Sequence, residues 1–379
     1  GLVIDPKEGI HFDVVVMDFA SLYPSIIKVR NISYETVRCS HSECKKNTIP
    51  QTNHWACTKR NGLTAIIIGS LRDLRVNYYK SLSKKETLTD EQRQQYTVVS
   101  QALKVILNAS YGVMGAEIFP LYFLPAAEAT TAIGRFTILE TIKKCEEIGI
   151  EVLYGDTDSL FIKKPTDEQI HKVIEQAKKD HGVDLEIDKV YRYCVLSNRK
   201  KNYLGVTKSG TVDVKGLTGK KSHTPPFIRK LFYELLDVLS TVQTIEDFEK
   251  AKLSITNKIA TCAKKVESKE IPLQDLTFNV MISKAPSEYT KTVPQHIRAA
   301  KLLESIREVK KGDKISYVKI INKPGVKPVE LAKKEEIDSK KYMEFMESTL
   351  DQITSSMDLD FSTMLGKPKQ TGLDEFFWN

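Results

Sequence analysis

The chain has 379 residues, 41% hydrophobic and 28% charged, enough apolar content for two or three domains with cores of their own. Lys and Arg outnumber Asp and Glu, 57 to 49, a basic balance that favours a polyanionic partner but is equally met by a solvated lysine-rich surface. No apolar run is long enough for a membrane helix, no signal peptide is recognisable, and six cysteines are too few to staple a chain of this size, so neither a membrane-spanning helix nor a disulfide scaffold is expected in this sequence. In chain order, FDVVVMD (12–18) is β-branched and bounded by polar residues, which predicts a buried strand, and SLYPSIIKVR turns into a helix. Residues 31–62 form an irregular polar loop. Residues 70–85 and 92–111 read as an antiparallel helix pair, with Thr89 or Asp90 capping the second. A long helix over 126–148 stops at Gly149, and IEVLY and SLFIKK then alternate as the arms of a hairpin with GDTD at its turn. Residues 168–181 are helical and 185–217 mostly strand. From about 222 to 355 the pattern is helical and lysine-rich, broken by a short strand at GDKISYVKI, and the tail GKPKQTGLDEFFWN reads as a flexible arm. The chain begins at Gly1 and enters its motifs almost at once, as a portion of something longer would.

Three cysteines cluster in the polar loop, Cys39, Cys44 and Cys57, with His41 and His54 among them. The spacing C-x4-C-x9-H-x2-C admits a tetrahedral zinc site, a Cys44–Cys57 disulfide closing the loop, or free thiols, and matches no strong zinc template.

The chemistry concentrates in carboxylates. Asp156 and Asp158 stand one residue apart at the hairpin turn, where like charges repel and desolvation is costly. Aspartate is a common turn residue, so the pair alone says little. Asp18 changes that, because it ends an apolar strand where a carboxylate needs a partner. Magnesium is the natural one, a hard ion taking carboxylate and carbonyl oxygens together with substrate phosphates, and two such ions about 4 Å apart can serve an attacking and a leaving oxygen. A phosphate grip is available nearby. Gln101, Lys104, Asn108 and Tyr111 follow one another at spacings of three and four along one helical face, with Leu103, Ile106 and Leu107 free to pack inward. Arg72, Arg75 and Lys80 on the preceding helix add a guanidinium fork and point charges suited to a triphosphate.

DFASLYPSII, KVILNASYG and YGDTDS, in this order and spacing, resemble motifs A, B and C of family B DNA polymerases. TAIGR (131–135), RKKNYLG (199–205), KGLTGKKS (215–222) and SKAPSEYTKTVPQHIRAAKLL extend the resemblance from about residue 3 to about 322, with an archaeal, crenarchaeal-like look. The resemblance implies an α+β right hand: an antiparallel-sheet palm (1–63 and 116–221, with the cysteine loop 31–62), two-helix fingers (64–115), a mostly helical thumb (222–366) and a tail (367–379). It implies template-directed 5′→3′ addition of dNTPs to a primer 3′-hydroxyl by a replicative DNA-directed DNA polymerase, with two Mg²⁺ ions for which Mn²⁺ can substitute. Asp18, Asp158 and the Phe19 carbonyl would hold the metals, with Asp156 close but a less constant ligand. Backbone amides at Ser21, Leu22 and Tyr23 would cradle the triphosphate, and the Tyr23 ring would exclude a 2′-hydroxyl. Arg75, Lys104 and Asn108 would grip the β and γ phosphates, while Tyr111 and Gly112 would line the nascent base pair. Lys200, Lys201, Tyr203, Lys220 and Lys221 would meet primer-template DNA. The loop is similar to one closed by a disulfide in some hyperthermophilic archaeal members, which points to Cys44–Cys57.

Two departures stand out. The family often has lysine four residues after the fingers arginine, where this chain has Tyr79 followed by Lys80, and EIDKVY carries Asp188 where many members have glutamate. The sequence has no DIE-type exonuclease motif, so neither proofreading nor uracil sensing is expected from it, and an N-terminal and exonuclease portion is expected as a partner. In the tail, Gln370, Leu373, Phe376 and Phe377 of QTGLDEFF follow the spacing of peptides that bind sliding clamps, the apolar residues falling on one side of a helical turn. The expected location is cytoplasmic and nucleoid-associated, with no membrane involvement.

Overall fold

The computed structural model describes residues 3–216, 224–290 and 293–366. The chain divides into two compact units, Gly1–Pro6 with Phe12–Val190, and Lys7–His11 with Tyr191–Asn379. No helix among the described residues is long and apolar enough to cross a membrane.

The first unit is built on an antiparallel sheet. Strands β1 (Val3–Ile4), β2 (Gly9–Phe19), β3 (Glu151–Asp156) and β4 (Ser159–Lys163) lie in the order β1-β3-β4-β2. Val14, Val15, Val16 and Met17 are all buried, so both faces of β2 are covered, which explains why the sequence there is continuously apolar rather than alternating. Helices α1 (Leu22–Val29), α2 (Leu63–Asp73), α3 (Lys80–Leu82), α4 (Asp90–Gly115), α5 (Leu124–Glu147) and α6 (Asp167–His181) follow the expected sequence of elements. Met17 and Phe19 of β2, Ile26 and Ile27 of α1, Ile133 and Ile138 of α5 and Val173 of α6 share one core. Thr89 caps α4 with a full capping box, its hydroxyl accepting from the Gln92 amide.

Between α2 and α3 the helix is not α-helical. Leu74–Tyr79 forms a π-turn, closing i→i+5 hydrogen bonds. Helix α2 also begins at Leu63, earlier than the expected start at 70, because the Gly62 amide is held by the Asn31 side chain at 2.7 Å and the Leu63 amide by Glu35. Ile106, expected to pack inward, is exposed, whereas Leu103 and Leu107 are buried. Arg72 also departs from expectation. It is buried and bonds Ser25 Oγ (3.1 Å), Asp73 and Asp184, which makes it an anchor for α2 rather than a hand for phosphate. Replacing Arg72 by methionine is expected to lower stability in urea by about 2 kcal/mol, since Asp184 would keep only Lys178 as a cation.

In the cysteine loop, the sulfurs of Cys44 and Cys57 lie 3.9 Å apart. His54, the histidine of the spacing considered above, is committed elsewhere. Its Nδ1 accepts from Arg38 (2.8 Å) and its Nε2 lies 2.7 Å from Glu128.

The second unit takes over β5 (Leu185–Leu196) at Tyr191, which pairs with β6 (Tyr203–Thr207), and β6 pairs with β7 (Val212–Lys215). Helices α7 (Pro226–Ser240) and α8 (Ile245–Glu267) precede a three-stranded antiparallel sheet, where the sequence suggested a single strand. Its strands β8 (Phe278–Met281), β9 (Lys314–Lys319) and β10 (Val326–Pro328) are interleaved with α9 (Gln295–Leu303), and α10 (Ser339–Thr354) and α11 (Phe361–Met364) follow. The Tyr342 hydroxyl ties α10 to this sheet, donating to Leu276 O (2.7 Å) and accepting from Lys319 N (3.0 Å).

Candidate active site

The site is assembled by backbone pairing. Strand β3 ends at Asp156 and β4 begins at Ser159, leaving Thr157 and Asp158 as the turn. Thr157 takes a left-handed conformation (φ 57°) and the Asp158 amide reaches back to Asp156 O at 2.6 Å. The tightened turn sets Asp158 O 2.8 Å from the Phe19 amide, while Asp18 pairs with Ser159 across β2 and β4. The end of β2 and the hairpin turn are thus stitched together by main-chain hydrogen bonds, and their carboxylates come to one place.

Electrostatics register the crowding. Burial first, then the charges of Asp158 and Asp188, push the Asp18 carboxyl up to about 7, against Lys80 and Lys104, which pull it down. Asp188, doubtful on the sequence, is therefore close enough to act on Asp18. Asp156 is half-buried at the end of β3 and its Oδ1 lies 3.2 Å from the Thr157 hydroxyl.

Immediately after Asp18 the chain turns. Ser21 is left-handed (φ 54°) and caps α1 without a side-chain hydrogen bond to the helix. Its hydroxyl instead accepts from Arg75 at 2.8 Å, and Arg75 Nε also donates to Ser100 O at 3.2 Å. Burial lowers the Arg75 guanidinium, which still remains protonated. The amides of Leu22 and Tyr23 are first-turn donors at the positive end of α1, facing the same side.

A cavity of about 250 Å³ opens between these parts, lined by Ser21, Leu22, Tyr23 and Pro24 of α1, Leu107, Asn108 and Tyr111 of α4, and Thr157 and Asp158 of the turn. The rings of Tyr23 and Tyr111 meet with centroids 5.0 Å apart. Burial, then Tyr111 and Asp158, raise the Tyr23 phenol, so it stays protonated. Lys104 and Asn108 are exposed one turn apart on α4, and a side chain at Gly112 would meet nothing within 4 Å.

Lys80 stands one position beyond the lysine that the resemblance leads one to expect, and the stretch between it and Arg75 is the π-turn, the Lys80 amide donating to Arg75 O. Lys80 bonds Glu186 at 2.6 Å, and its charge acts on Asp18. Nothing in the local composition announces a π-turn. A second residue that was missed is Gly134 in TAIGR, whose missing side chain makes room for the Tyr23 ring: a Cβ there would lie 3.0 Å from Tyr23 Cε1.

Lys200, Lys201 and Tyr203 belong to the second unit. Lys200 and Lys201 are exposed in the turn before β6, and Tyr203 is the first residue of β6. Lys201 is left-handed (φ 64°), and Gly216 (φ 67°) passes so close to Lys201 O that no side chain fits there. Lys220 and Lys221, and the tail residues Gln370, Leu373, Phe376 and Phe377, lie outside the described residues.

A family model described as DNA polymerase family B matches residues 1–358. The chain is 45% identical to DNA polymerase 1 of Sulfurisphaera ohwakuensis, over 96% of this chain and 42% of that protein. It is 42% identical to DNA polymerase 1 of Saccharolobus solfataricus, over 99% of this chain and 43% of that one. The solved family B DNA polymerase of the hyperthermophilic archaeon Pyrobaculum calidifontis superposes with a TM-score of 0.72 at 25% identity, covering 92% of this chain and 46% of that chain. The chain thus spans less than half the length of these relatives.

Proposed function

The chain belongs to DNA polymerase family B, of the archaeal type, and from that premise we propose that it is the catalytic module of a DNA-directed DNA polymerase, adding dNTPs to a primer 3′-hydroxyl under the direction of a template. The observation that carries the reading is one cavity lined by Asp158, a helix N-terminus, an amide and two tyrosines, with Asp18 near enough to Asp158 to feel its charge.

The donors fit divalent magnesium. Asp18, Asp158 and the Phe19 carbonyl offer only hard oxygens, and the upward pressure on Asp18 from burial and two neighbouring carboxylates is the pressure a cation would relieve. Asp18, Asp158 and the Phe19 carbonyl would hold two Mg²⁺ ions, or Mn²⁺, which when bound would supply acidity to the primer hydroxyl and charge neutralisation to the departing pyrophosphate. The remaining work falls to the chain's own groups. Lys104, Lys80 and Arg75 neutralise the β and γ phosphates, with Asn108 donating beside them, and the amides at Ser21, Leu22 and Tyr23 fix the triphosphate by their direction. Tyr23 lies under the sugar, and Tyr111 with Gly112 forms the floor of the nascent base pair. Asp156 supports the turn that presents Asp158. Lys200, Lys201, Tyr203, Lys220 and Lys221 hold the primer-template, the tail residues bind a sliding clamp, and an N-terminal exonuclease portion completes the enzyme in the nucleoid. With no DIE-type motif in this sequence, primer-end hydrolysis is not expected of it.

Extension of a labelled primer-template by the purified chain, with Mg²⁺ and dNTPs, tests this. Extension that stops on chelation supports it. Salt-sensitive DNA binding without extension at any Mg²⁺ concentration, unchanged by adding an N-terminal portion, overturns it in favour of a non-catalytic DNA-binding scaffold. Incubation without dNTPs is expected to release no nucleotide from the primer end.

A further inference from the structure

The loop before α2 gathers four potential ligands that the polymerase reading does not use. The sulfurs of Cys39, Cys44 and Cys57 and a ring nitrogen of His41 all lie within 4.8 Å of one another, and the three cysteines are buried. We propose that this loop binds one structural zinc ion through Cys39, His41, Cys44 and Cys57.

The distances argue for zinc in particular. A tetrahedral ion with Zn–S of about 2.3 Å and Zn–N of about 2.0–2.1 Å sets S···S edges of about 3.8 Å and S···N edges of about 3.6 Å. Cys44 and Cys57 sulfurs stand 3.9 Å apart, and Cys57 Sγ stands 3.5 Å from His41 Nδ1. An iron–sulfur cluster, in which thiolates meet different irons, spreads its sulfurs more widely. A disulfide would use two of the four groups and leave Cys39 and His41 gathered for no purpose.

The surroundings are those of thiolates. The Thr58 amide points at Cys44 Sγ and the Lys59 amide at Cys57 Sγ, both at 3.4 Å, and N–H donors to sulfur stabilise the negative charge of a metal-bound thiolate. The Thr58 hydroxyl adds a third polar contact to Cys44, also at 3.4 Å. Trp55 packs over the cluster and its indole N–H holds Cys39 O at 3.0 Å, closing the site from solvent. Loading exchanges the thiol protons of the three cysteines for the metal, and Lys45, Lys46 and Lys59 flank the ligands in sequence, offsetting the remaining negative charge.

The ligand spacing is C-x-H-x2-C-x12-C, with the histidine before the second cysteine. That is why the His54-based spacing fitted no template. The site's exit is tied to the fingers. Asn31, just past α1, donates to Cys57 O (2.9 Å) and Arg60 O (2.8 Å) and accepts from the Gly62 amide that starts α2. The zinc would therefore fix the root of α2.

The test is metal analysis of the chain purified from zinc-supplemented medium, followed by exchange to Co²⁺. The expected result is about one zinc per chain, and for the cobalt form a thiolate-to-metal charge-transfer band with tetrahedral d–d transitions, which carboxylate sites cannot produce. His41→Gln is expected to weaken zinc binding by roughly 10-fold or more in chelator competition, and His54→Gln to leave it unchanged. Cys262→Ser, in α8, serves as the thiol control. The proposal is overturned if the chain carries no zinc and its unreduced mass shows a Cys44–Cys57 disulfide, if the thiols stay free with zinc present, or if His54→Gln releases the metal and His41→Gln does not. The cobalt spectrum of the unaltered chain decides the matter even where a cysteine variant fails to fold.

Discussion

Asp18→Asn is expected to abolish primer extension, by at least ~10³-fold, and at the same time to make the metal-free protein more stable at neutral and alkaline pH. The activity loss follows from removing one of the two carboxylates that would hold both metals. The stability gain follows from the field Asp18 sits in. Its carboxyl is raised from 3.8 to about 7 by burial, Asp158 and Asp188. A group whose folded value lies above its unfolded one binds more protons in the folded state between the two, so stability declines as pH rises from about 4 to about 7 and stays at the lower level above. Asparagine removes that decline. After allowance for solvent screening of a partly exposed group, the gain is about 1–2 kcal/mol at pH 8, or roughly 3–6 °C in Tm. Thermal unfolding of both proteins at pH 5 and pH 8, without metal and then with Mg²⁺, checks this. The curves should separate most at pH 8 and draw closer at pH 5, and Mg²⁺ should stabilise only the unaltered chain. Equal stability at both pH values would show that the carboxylates do not strain one another.

Tyr23→Ala is expected to raise ribonucleotide incorporation relative to deoxyribonucleotide by roughly 10²-fold, with a smaller loss in dNTP incorporation. The ring is held from two sides, by Tyr111 at 5.0 Å and by the backbone of α5 at Gly134. It therefore acts as a wall rather than a yielding side chain, and a wall rejects an added hydroxyl far better than a loose contact does. Gly134→Ala gives the graded counterpart. A methyl 3.0 Å from Tyr23 Cε1 forces the ring toward the cavity, so both nucleotides should be taken up less well without a gain in ribonucleotide use. Competition between dCTP and CTP on one template measures both variants. Unchanged sugar selectivity in Tyr23→Ala would remove that ring from the proposed sugar contact.

The parts of this molecule that were legible in the sequence are those set by period and punctuation. The apolar run before Asp18, the GDTD turn, the capping residue Thr89 and the stop near Gly149 each sit where composition placed them, give or take a few residues. What was not legible depends on long-range partners. Arg72 looked like one more phosphate cation until Asp184, 112 residues away, turned out to face it. Ile106 looked like core because it is isoleucine, yet it falls on the exposed side of α4. The spacing in the sequence picks out His54 as the histidine ligand, and only the structure shows that Arg38 and Glu128 already occupy its ring. The second unit's small sheet escaped because β8 and β10 are only four and three residues long, too short to show alternation.

The π-turn at Leu74–Tyr79 lies in a helix whose two ends are tethered, by Gly62 and Asn31 at the start and by Lys80 on Glu186 at the finish. One wide turn between tethered ends lets the chain carry one more residue there than a regular α-helix would. Deleting one residue, Asn77 for instance, should restore an ordinary helix and return Lys80 to the fourth position after Arg75 with its reach intact, whereas swapping Tyr79 for lysine would put a charge on the wrong side.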